Sequence, residues 1–226
     1  MADTALVIVA RYPQIGKTKT RLARAFGDEE TVELYRAFLT DLAQKFAARP
    51  EYDLHWAYTP TEVDYADFMA TLAPSPTRCM HFFPQEGVGL GERLHNAFRR
   101  TCEQGYRRTV VIGSDSPHIC GNTIARAANA LAQADVVLGP AEDGGYYLIA
   151  MQKPHDVFRD IPMSTSQVLR MTIELAQRQN LKVSTLETLF DIDELPDLER
   201  LAQLLRTNAS LAPATAAHLA MMKEFV

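Results

Sequence analysis

Gly113-Ser114-Asp115-Ser116-Pro117 and Ala141-Glu142-Asp143-Gly144-Gly145-Tyr146-Tyr147-Leu148 are the two segments from which the fold can be read. Each follows a short apolar run, Thr109-Val110-Val111-Ile112 in the first case and Asp135-Val136-Val137-Leu138-Gly139-Pro140 in the second. Each therefore reads as a carboxylate delivered at or just past the end of a strand. Open α/β sheets bind ligands at the carboxyl edge of their strands. Two acidic loops at that edge point to a divalent cation and a phosphorylated ligand.

Working outward, strand and helix signals alternate along the chain. Leu6-Val7-Ile8-Val9-Ala10 is a continuous apolar run of the kind buried on both faces of a parallel sheet. After Gly27, Asp28 is placed to cap a helix to about Ala48, with Val32, Leu34, Tyr35, Phe38, Leu39, Leu42 and Phe46 as its apolar stripe. Leu54–Tyr58 and Cys79–Phe83 read as strands. Thr61 is expected to open a short helix, with Asp64 as its partner. A helix is expected from the glycine-rich loop at 87–91 to about Glu103. Further helices are expected from Ser164 or Thr165 to Gln179, from Pro196 to about Arg206, and over Ala212–Phe225. Leu181–Leu186 is a further strand. The pattern predicts a mostly parallel α/β sandwich in a single domain spanning 1–226, with 212–225 as an appended helix and a joint at 207–213.

Composition narrows the function. The chain has 226 residues, 47% hydrophobic and 23% charged, with a net charge of −5 and no basic run. A nucleic-acid partner held by electrostatics is not expected. No stretch is apolar for the length of a membrane span, and the first residues lack the pattern of a signal peptide. Cys79, Cys102 and Cys120 are odd in number and lack zinc spacing, which suits structural thiols in a reducing cytoplasm.

The loop after the first strand carries Arg11, Lys17, Lys19 and Arg21 around Gly16. Such cations suit a phosphate chain. Gly16-Lys17-Thr18 matches only the second half of a P-loop, because Arg11 stands where that motif needs a glycine. Gly87, Gly89 and Gly91 would let backbone approach a ligand beside a helix N-terminus. Asp115 suits Mg²⁺, which takes one or two carboxylates plus substrate phosphates. Asp143, Asp191 and Asp193 are the candidates for the second carboxylate. Gly144-Gly145 frees the backbone for a tight turn, and Tyr146 or Tyr147 offers a ring to a sugar or base. The six histidines are scattered, and Ser114 lacks a nucleophile-elbow context.

Taken in order, Arg11…Gly16…Lys19-Thr20-Arg21-Leu22, Gln85…Leu90-Gly91-Glu92-Arg93, Gly113–Pro117, Asp143-Gly144-Gly145-Tyr146-Tyr147, Ser164-Thr165 and Asp191-Ile192-Asp193 resemble a bacterial family. It is that of the radical-SAM/selenodomain-associated transferases, glycosyltransferase-A-like proteins. The resemblance covers roughly 5–205. It extends more distantly to 2-phospholactate and molybdenum-cofactor guanylyltransferases. It implies a Rossmann-like nucleotide-diphospho-sugar transferase (GT-A) fold and a cytoplasmic enzyme. Arg11, Gly16, Lys19, Arg21, Gly89 and Gly91 would bind a nucleotide or nucleotide-sugar donor. Asp115 and Asp193 would hold Mg²⁺ or Mn²⁺. Asp143 would act catalytically, with Gly144, Gly145 and Tyr146 on the side of a small-molecule acceptor. The chain departs from the family pattern at Met163, Ala150 and Glu194, where tryptophan, glycine and threonine are common. Sugar transfer is the first expectation. Guanylyltransferase-like nucleotidyl transfer and a non-catalytic nucleotide-sugar binder are the alternatives. The C-terminal helix, with Leu219, Met221, Met222 and Phe225, either packs on its own domain or pairs two copies as a homodimer.

Overall fold

The computed structural model describes residues 2–47, 49–74, 80–163 and 165–222. Ala48, Cys79, Ser164 and Phe225, which enter the expectations above, lie outside these. The elements in chain order are β1 (Thr4–Arg11), α1 (Thr20–Phe26), α2 (Asp28–Phe46), β2 (Asp53–Thr59), α3 (Tyr65–Leu72), β3 (Met80–Pro84) and α4 (Leu90–Glu103). There follow β4 (Arg108–Gly113), α5 (Gly121–Ala130), β5 (Val136–Pro140), β6 (Tyr146–Met151), α6 (Val168–Arg178), β7 (Val183–Thr185), α7 (Leu195–Thr207) and α8 (Pro213–Leu219).

The strands form one 7-stranded sheet in the order β3-β2-β1-β4-β6-β5-β7. All neighbours are parallel except at β6, which runs antiparallel to both β4 and β5. The architecture is the expected α/β one, Rossmann-like and mostly parallel. Strand alternation divides the core into two layers. Leu6, Ile8, Val110, Ile112 and Leu148 face one layer, covered by residues of α2, α5 and α7. Val7, Val111, Leu138 and Ile149 face the other, covered by Leu94 and Phe98 of α4 and Ala176 of α6. Both sides of the central strands are thus dry, which is why they read as unbroken apolar runs.

The antiparallel β6 has one consequence for the site. β4 and β5 run parallel, so the residues after Gly113 and after Pro140 leave the sheet at the same edge. The expected strand–helix–strand step therefore skips over β6, and the second acidic loop is the turn of the β5–β6 hairpin.

Several boundaries differ from expectation, each for a local reason. Gly27 rather than Asp28 is the N-cap of α2, and Asp28, Glu29 and Glu30 fill its first turn, where acids suit the helix dipole. Asp64, not Thr61, caps α3, its side chain accepting from the Asp67 amide at 2.8 Å. The helix expected from Ser164 or Thr165 begins at Val168, because Thr165 is held in a preceding turn, its hydroxyl donating to the Pro162 carbonyl at 3.0 Å. The final helix ends at Leu219. The joint expected at 207–213 is ordered: a 3-10 turn at Ala209–Leu211 leads into α8, whose first amides are received by a buried carboxylate. Asp41 accepts from the Ala214 amide at 2.7 Å, the Thr215 amide at 2.8 Å and the Thr215 hydroxyl at 2.6 Å. Leu219 and Met222 are buried against the chain's own core. Among the described residues no helix is long and apolar enough to cross a membrane.

Candidate functional site

Five segments meet at the carboxyl edge of the sheet: the loops after β1, β3 and β4, the β5–β6 turn, and the stretch between β7 and α7. The last of these is tied in by backbone. Leu186 and Leu189 donate to the carbonyls of Leu138 and Pro140 at 2.8 and 3.0 Å, continuing the parallel pairing beyond β7. Ala141 then bridges Leu189, and the Ile192 amide donates to the Asp115 carbonyl at 3.0 Å. This pairing carries Asp191 and Asp193 across to Asp115, although many residues separate them in sequence.

Lys19 is the centre of the arrangement. Its Nζ lies 2.7 Å from Asp115 Oδ1 and 3.2 Å from Asp193 Oδ1, and donates to the Ile192 carbonyl at 2.6 Å. The lysine side chain is only 8% exposed, whereas the two carboxylates are 45% and 49% exposed. Burial opposes the ammonium charge, but Asp115 and Asp193 more than offset it and hold the lysine above its ordinary pKa. Lys19 also has φ 39 and ψ 53, the left-handed region that side chains with a Cβ rarely adopt. The turn before it sets this up: Gln14 accepts the amides of Lys17 and Thr18 at 3.1 Å, and the buried Thr18 hydroxyl accepts the Gln14 amide at 2.8 Å.

Asp191 adds a further acid. It is half-buried beside Ser116, whose hydroxyl donates to it. Burial, with Asp115, Asp143 and Asp193 nearby, pushes its pKa to about 6 despite that hydrogen bond. The site thus gathers carboxylates beyond the single buried ammonium that faces them. Below the Asp115 loop, the buried Tyr35 hydroxyl pairs with Ser114 Oγ at 2.7 Å and accepts the Arg11 amide at 3.2 Å. Burial and the nearby Asp115 raise the phenol to about 12, so it stays protonated. Lys45 supports the same loop from α2, donating to the carbonyls of Pro117 at 2.6 Å, Ile119 at 2.9 Å and Leu211 at 2.6 Å.

The other candidates fall into distinct places. Arg11 at the end of β1, Gly16 and Lys17 on the loop after it and Arg21 in the first turn of α1 are exposed, with Arg21 3.4 Å from the exposed Glu194. Gly89 caps α4 in extended conformation with open space around it, whereas Gly91 lies against Phe158, 3.1 Å from its carbonyl to an added Cβ. Glu92 and Arg93 brace the glycine-rich loop: Glu92 accepts the Val88 amide at 2.9 Å, and Arg93 Nε donates to the Gly87 carbonyl at 2.9 Å. An open cleft of about 400 Å³ lies beside it, lined by Gly91, Glu92, His95, Phe158, Arg159 and Asp160. A slightly larger cleft, about 450 Å³, lies away from the carboxylates, between α2 and α3.

In the β5–β6 turn, Asp143 Oδ1 accepts the Gly145 amide at 2.8 Å. Gly144 has φ +88, and an added Cβ would lie 2.1 Å from the Ser166 carbonyl oxygen. Tyr146 does not open toward the cleft: its ring packs in the α4/α6 layer with a buried hydroxyl, on the face opposite to Leu148, because alternation is broken at the start of β6, where the β5–β6 register shifts at Gly139/Pro140. Tyr147 points to the other face, its hydroxyl donating to the Glu187 carbonyl at 3.2 Å.

Sequence reasoning named Gln85 within a motif but gave it no role; its side-chain amide donates to the carbonyls of Ala10 at 3.1 Å and Ala57 at 2.9 Å, holding the ends of β1 and β2. Sequence reasoning missed the Tyr35–Ser114 pair. A buried tyrosine on an apolar stripe carries no sign of where its hydroxyl reaches. Among the described residues, no group of three or more His, Cys, Asp or Glu is arranged to hold a metal unaided. Asp115 and Asp193 do each place a carboxylate oxygen within 3.2 Å of one point, the present position of Nζ. Mg²⁺ is commonly held by one or two carboxylates, with substrate phosphates and water completing its shell.

A family model described as "Uncharacterized protein conserved in bacteria (DUF2064)" matches residues 42–165. A structure from Desulfovibrio desulfuricans, described as a "putative nucleotide-diphospho-sugar transferase", superposes with TM-score 0.90 at 33% identity, covering 100% of this chain and 97% of that one. A cytidylyltransferase from Leptospira borgpetersenii superposes with TM-score 0.58 at 14% identity, covering 99% and 95%. A 4-diphosphocytidyl-2C-methyl-D-erythritol synthase from Anaerococcus prevotii gives 0.56 at 9%, covering 90% and 96%. At those identities the last two are likenesses of fold. None of the curated proteins matches in sequence.

Proposed function

This chain belongs to the DUF2064 family, and on that footing we propose that it is a divalent-metal-dependent transferase acting on a nucleotide-activated donor. The reaction is transfer of a sugar from a nucleotide-diphospho-sugar to a small-molecule acceptor. The observation that carries the reading is the convergence of Asp115 and Asp193 on one point, with Asp191 pushed up to about 6 beside them. These carboxylates repel a phosphorylated ligand, and Mg²⁺ or Mn²⁺ bound between them offsets that repulsion. The description of the 33%-identical relative favours a sugar donor over a nucleoside triphosphate.

In this reading Asp115 and Asp193 hold the ion, which when bound neutralises charge on the leaving diphosphate. Arg11 at the end of β1, Lys17 on the loop after it and Arg21 in the first turn of α1 bind the phosphates. Gly89 opens the helix N-terminus to them. Asp143 receives the proton of the acceptor hydroxyl. Gly144 and Gly145 set the turn that aims it, and the cleft beside Gly91 and His95 gives the acceptor room.

Two measurements test this. A thermal-shift panel of nucleotides and nucleotide sugars, with and without Mn²⁺, should show metal-dependent stabilisation. A ligand at one hundred times its dissociation constant adds about 2.7 kcal/mol. The variant Asp115→Asn should fold and lose that dependence, and unchanged metal-dependent affinity would refute the assignment. Release of nucleoside diphosphate from a turned-over donor marks sugar transfer, whereas pyrophosphate would overturn it in favour of nucleotidyl transfer.

A further inference from the structure

We infer that Lys19 is a tethered stand-in for the divalent ion: it holds Asp115 and Asp193 in the nucleotide-free protein and releases them only when phosphate draws its ammonium away. The inference rests on the reading of those two aspartates as ion ligands.

Three oxygens surround one Nζ, at 2.7, 3.2 and 2.6 Å, and two of them are the proposed ligands themselves. An ammonium at that position and an ion on the same carboxylates exclude each other, by volume and by like charge. The lysine is nearly covered while both carboxylates remain about half exposed, so Nζ sits on their inner side. Nothing else in the described site supplies buried positive charge. Lys45, in the support beneath the Asp115 loop, is spent on the carbonyls of Pro117, Ile119 and Leu211.

The release also has a physical route. Lys19, the N-cap of α1, lies between Lys17 on the loop and Arg21 in the first turn of α1, with Arg11 at the end of β1, and those three cations are exposed. A phosphate chain bound by those cations lies within reach of the lysine stem and offers its ammonium oxygens of at least equal charge. Once Lys19 turns to them, Asp115 and Asp193 are free, and the phosphates complete the shell of the incoming ion. Loading of ion and nucleotide is then mutual: each raises the affinity for the other, as linkage requires. A protein without nucleotide keeps a closed, neutralised pair and takes up little metal.

Mn²⁺ alone is the probe, its binding followed by the loss of the free-ion electron paramagnetic resonance signal. Wild type, Lys19→Met and Lys19→Met/Asp115→Asn are compared without nucleotide. The expected result is Mn²⁺ binding at least about tenfold tighter in Lys19→Met than in wild type, since removing the competitor restores the binding-competent fraction, and loss of that gain in the double variant. Equal Mn²⁺ affinity in wild type and Lys19→Met overturns the inference. Lys19→Gln, which keeps a polar group on the carboxylates without the charge, is the second variant if the methionine disturbs folding. Repeating the titration of wild type and Asp115→Asn with UDP-glucose or GTP present separates the two layers. If Asp115→Asn leaves nucleotide-dependent Mn²⁺ binding intact, the ligand assignment itself falls. If it abolishes that binding while Lys19→Met gains nothing, only the role of Lys19 falls.

Discussion

Replacing Gly144 by alanine should cost about 3 kcal/mol, far more than a turn glycine in open space. Two contributions can be worked from the structure. With φ +88, any Cβ at this position meets left-handed strain of roughly 1–2 kcal/mol. The new Cβ would also lie 2.1 Å from the Ser166 carbonyl oxygen and 2.7 Å from its carbon, where ordinary contact begins at 3.4 Å. Backbone must therefore move, and the nearest bond to give is the one from the Leu169 amide to the Gly144 carbonyl, now 3.0 Å. Losing it adds about 1 kcal/mol. For a chain of this size 1 kcal/mol lowers the melting temperature by roughly 2–4 °C, so Gly144→Ala should melt roughly 6–12 °C lower. Gly16→Ala is the control: its φ is +73, but nothing lies within 4 Å of an added Cβ, so strain acts alone. Circular-dichroism melts of both variants decide the matter. An equal fall in the two would show that the Ser166 contact carries no weight and refute the argument.

Asp41→Ala should lower stability by about 2–3 kcal/mol, because it strips the amides of Ala214 and Thr215 of their acceptor; urea unfolding measures it, and a loss under about 0.5 kcal/mol would contradict the capping role. Burial, with Lys45 and Arg200 nearby, holds His118 down at about 4, against an unfolded value of 6.5. Between those values the unfolded chain takes a proton that the folded one refuses, so stability falls as pH drops through that window. His118→Phe should remove roughly 2 kcal/mol of the wild-type loss between pH 7 and 5, since neither ring nitrogen has a hydrogen-bond partner; parallel melting curves against pH in the two proteins would overturn this.

The strands and their order of appearance were legible because buried parallel strands announce themselves as apolar runs. The site was legible in parts. Asp115 and Asp143 could be read because each directly follows such a run. The approach of Asp191 and Asp193 could not be derived from spacing, since it depends on backbone pairing of Leu186 and Leu189 beside β5. Lys19 carried the signature of a phosphate ligand, but its buried position between two aspartates is set by a left-handed backbone that nothing in Lys19-Thr20 announces. The inward turn of Tyr146 was not legible because the register shift at Gly139/Pro140 breaks alternation at the start of β6. The start of α6 was read too early because Thr165 is a capping type that here closes a turn of its own.

The β5–β6 turn is fastened on every side. Ala141 and Gly145 close it, Leu189 bridges its first residue, and Leu169 holds Gly144. The chain from Gln152 to Gln167, which lies over it and over Gly91, carries no helix or strand among its described residues. An inserted residue in the turn would break pairing on both flanking strands, whereas one between Asp156 and Pro162 would leave every strand in register. The turn and the strap are therefore free to diverge at different speeds. Relatives that accept different molecules should keep the length of the turn and vary the length of the strap.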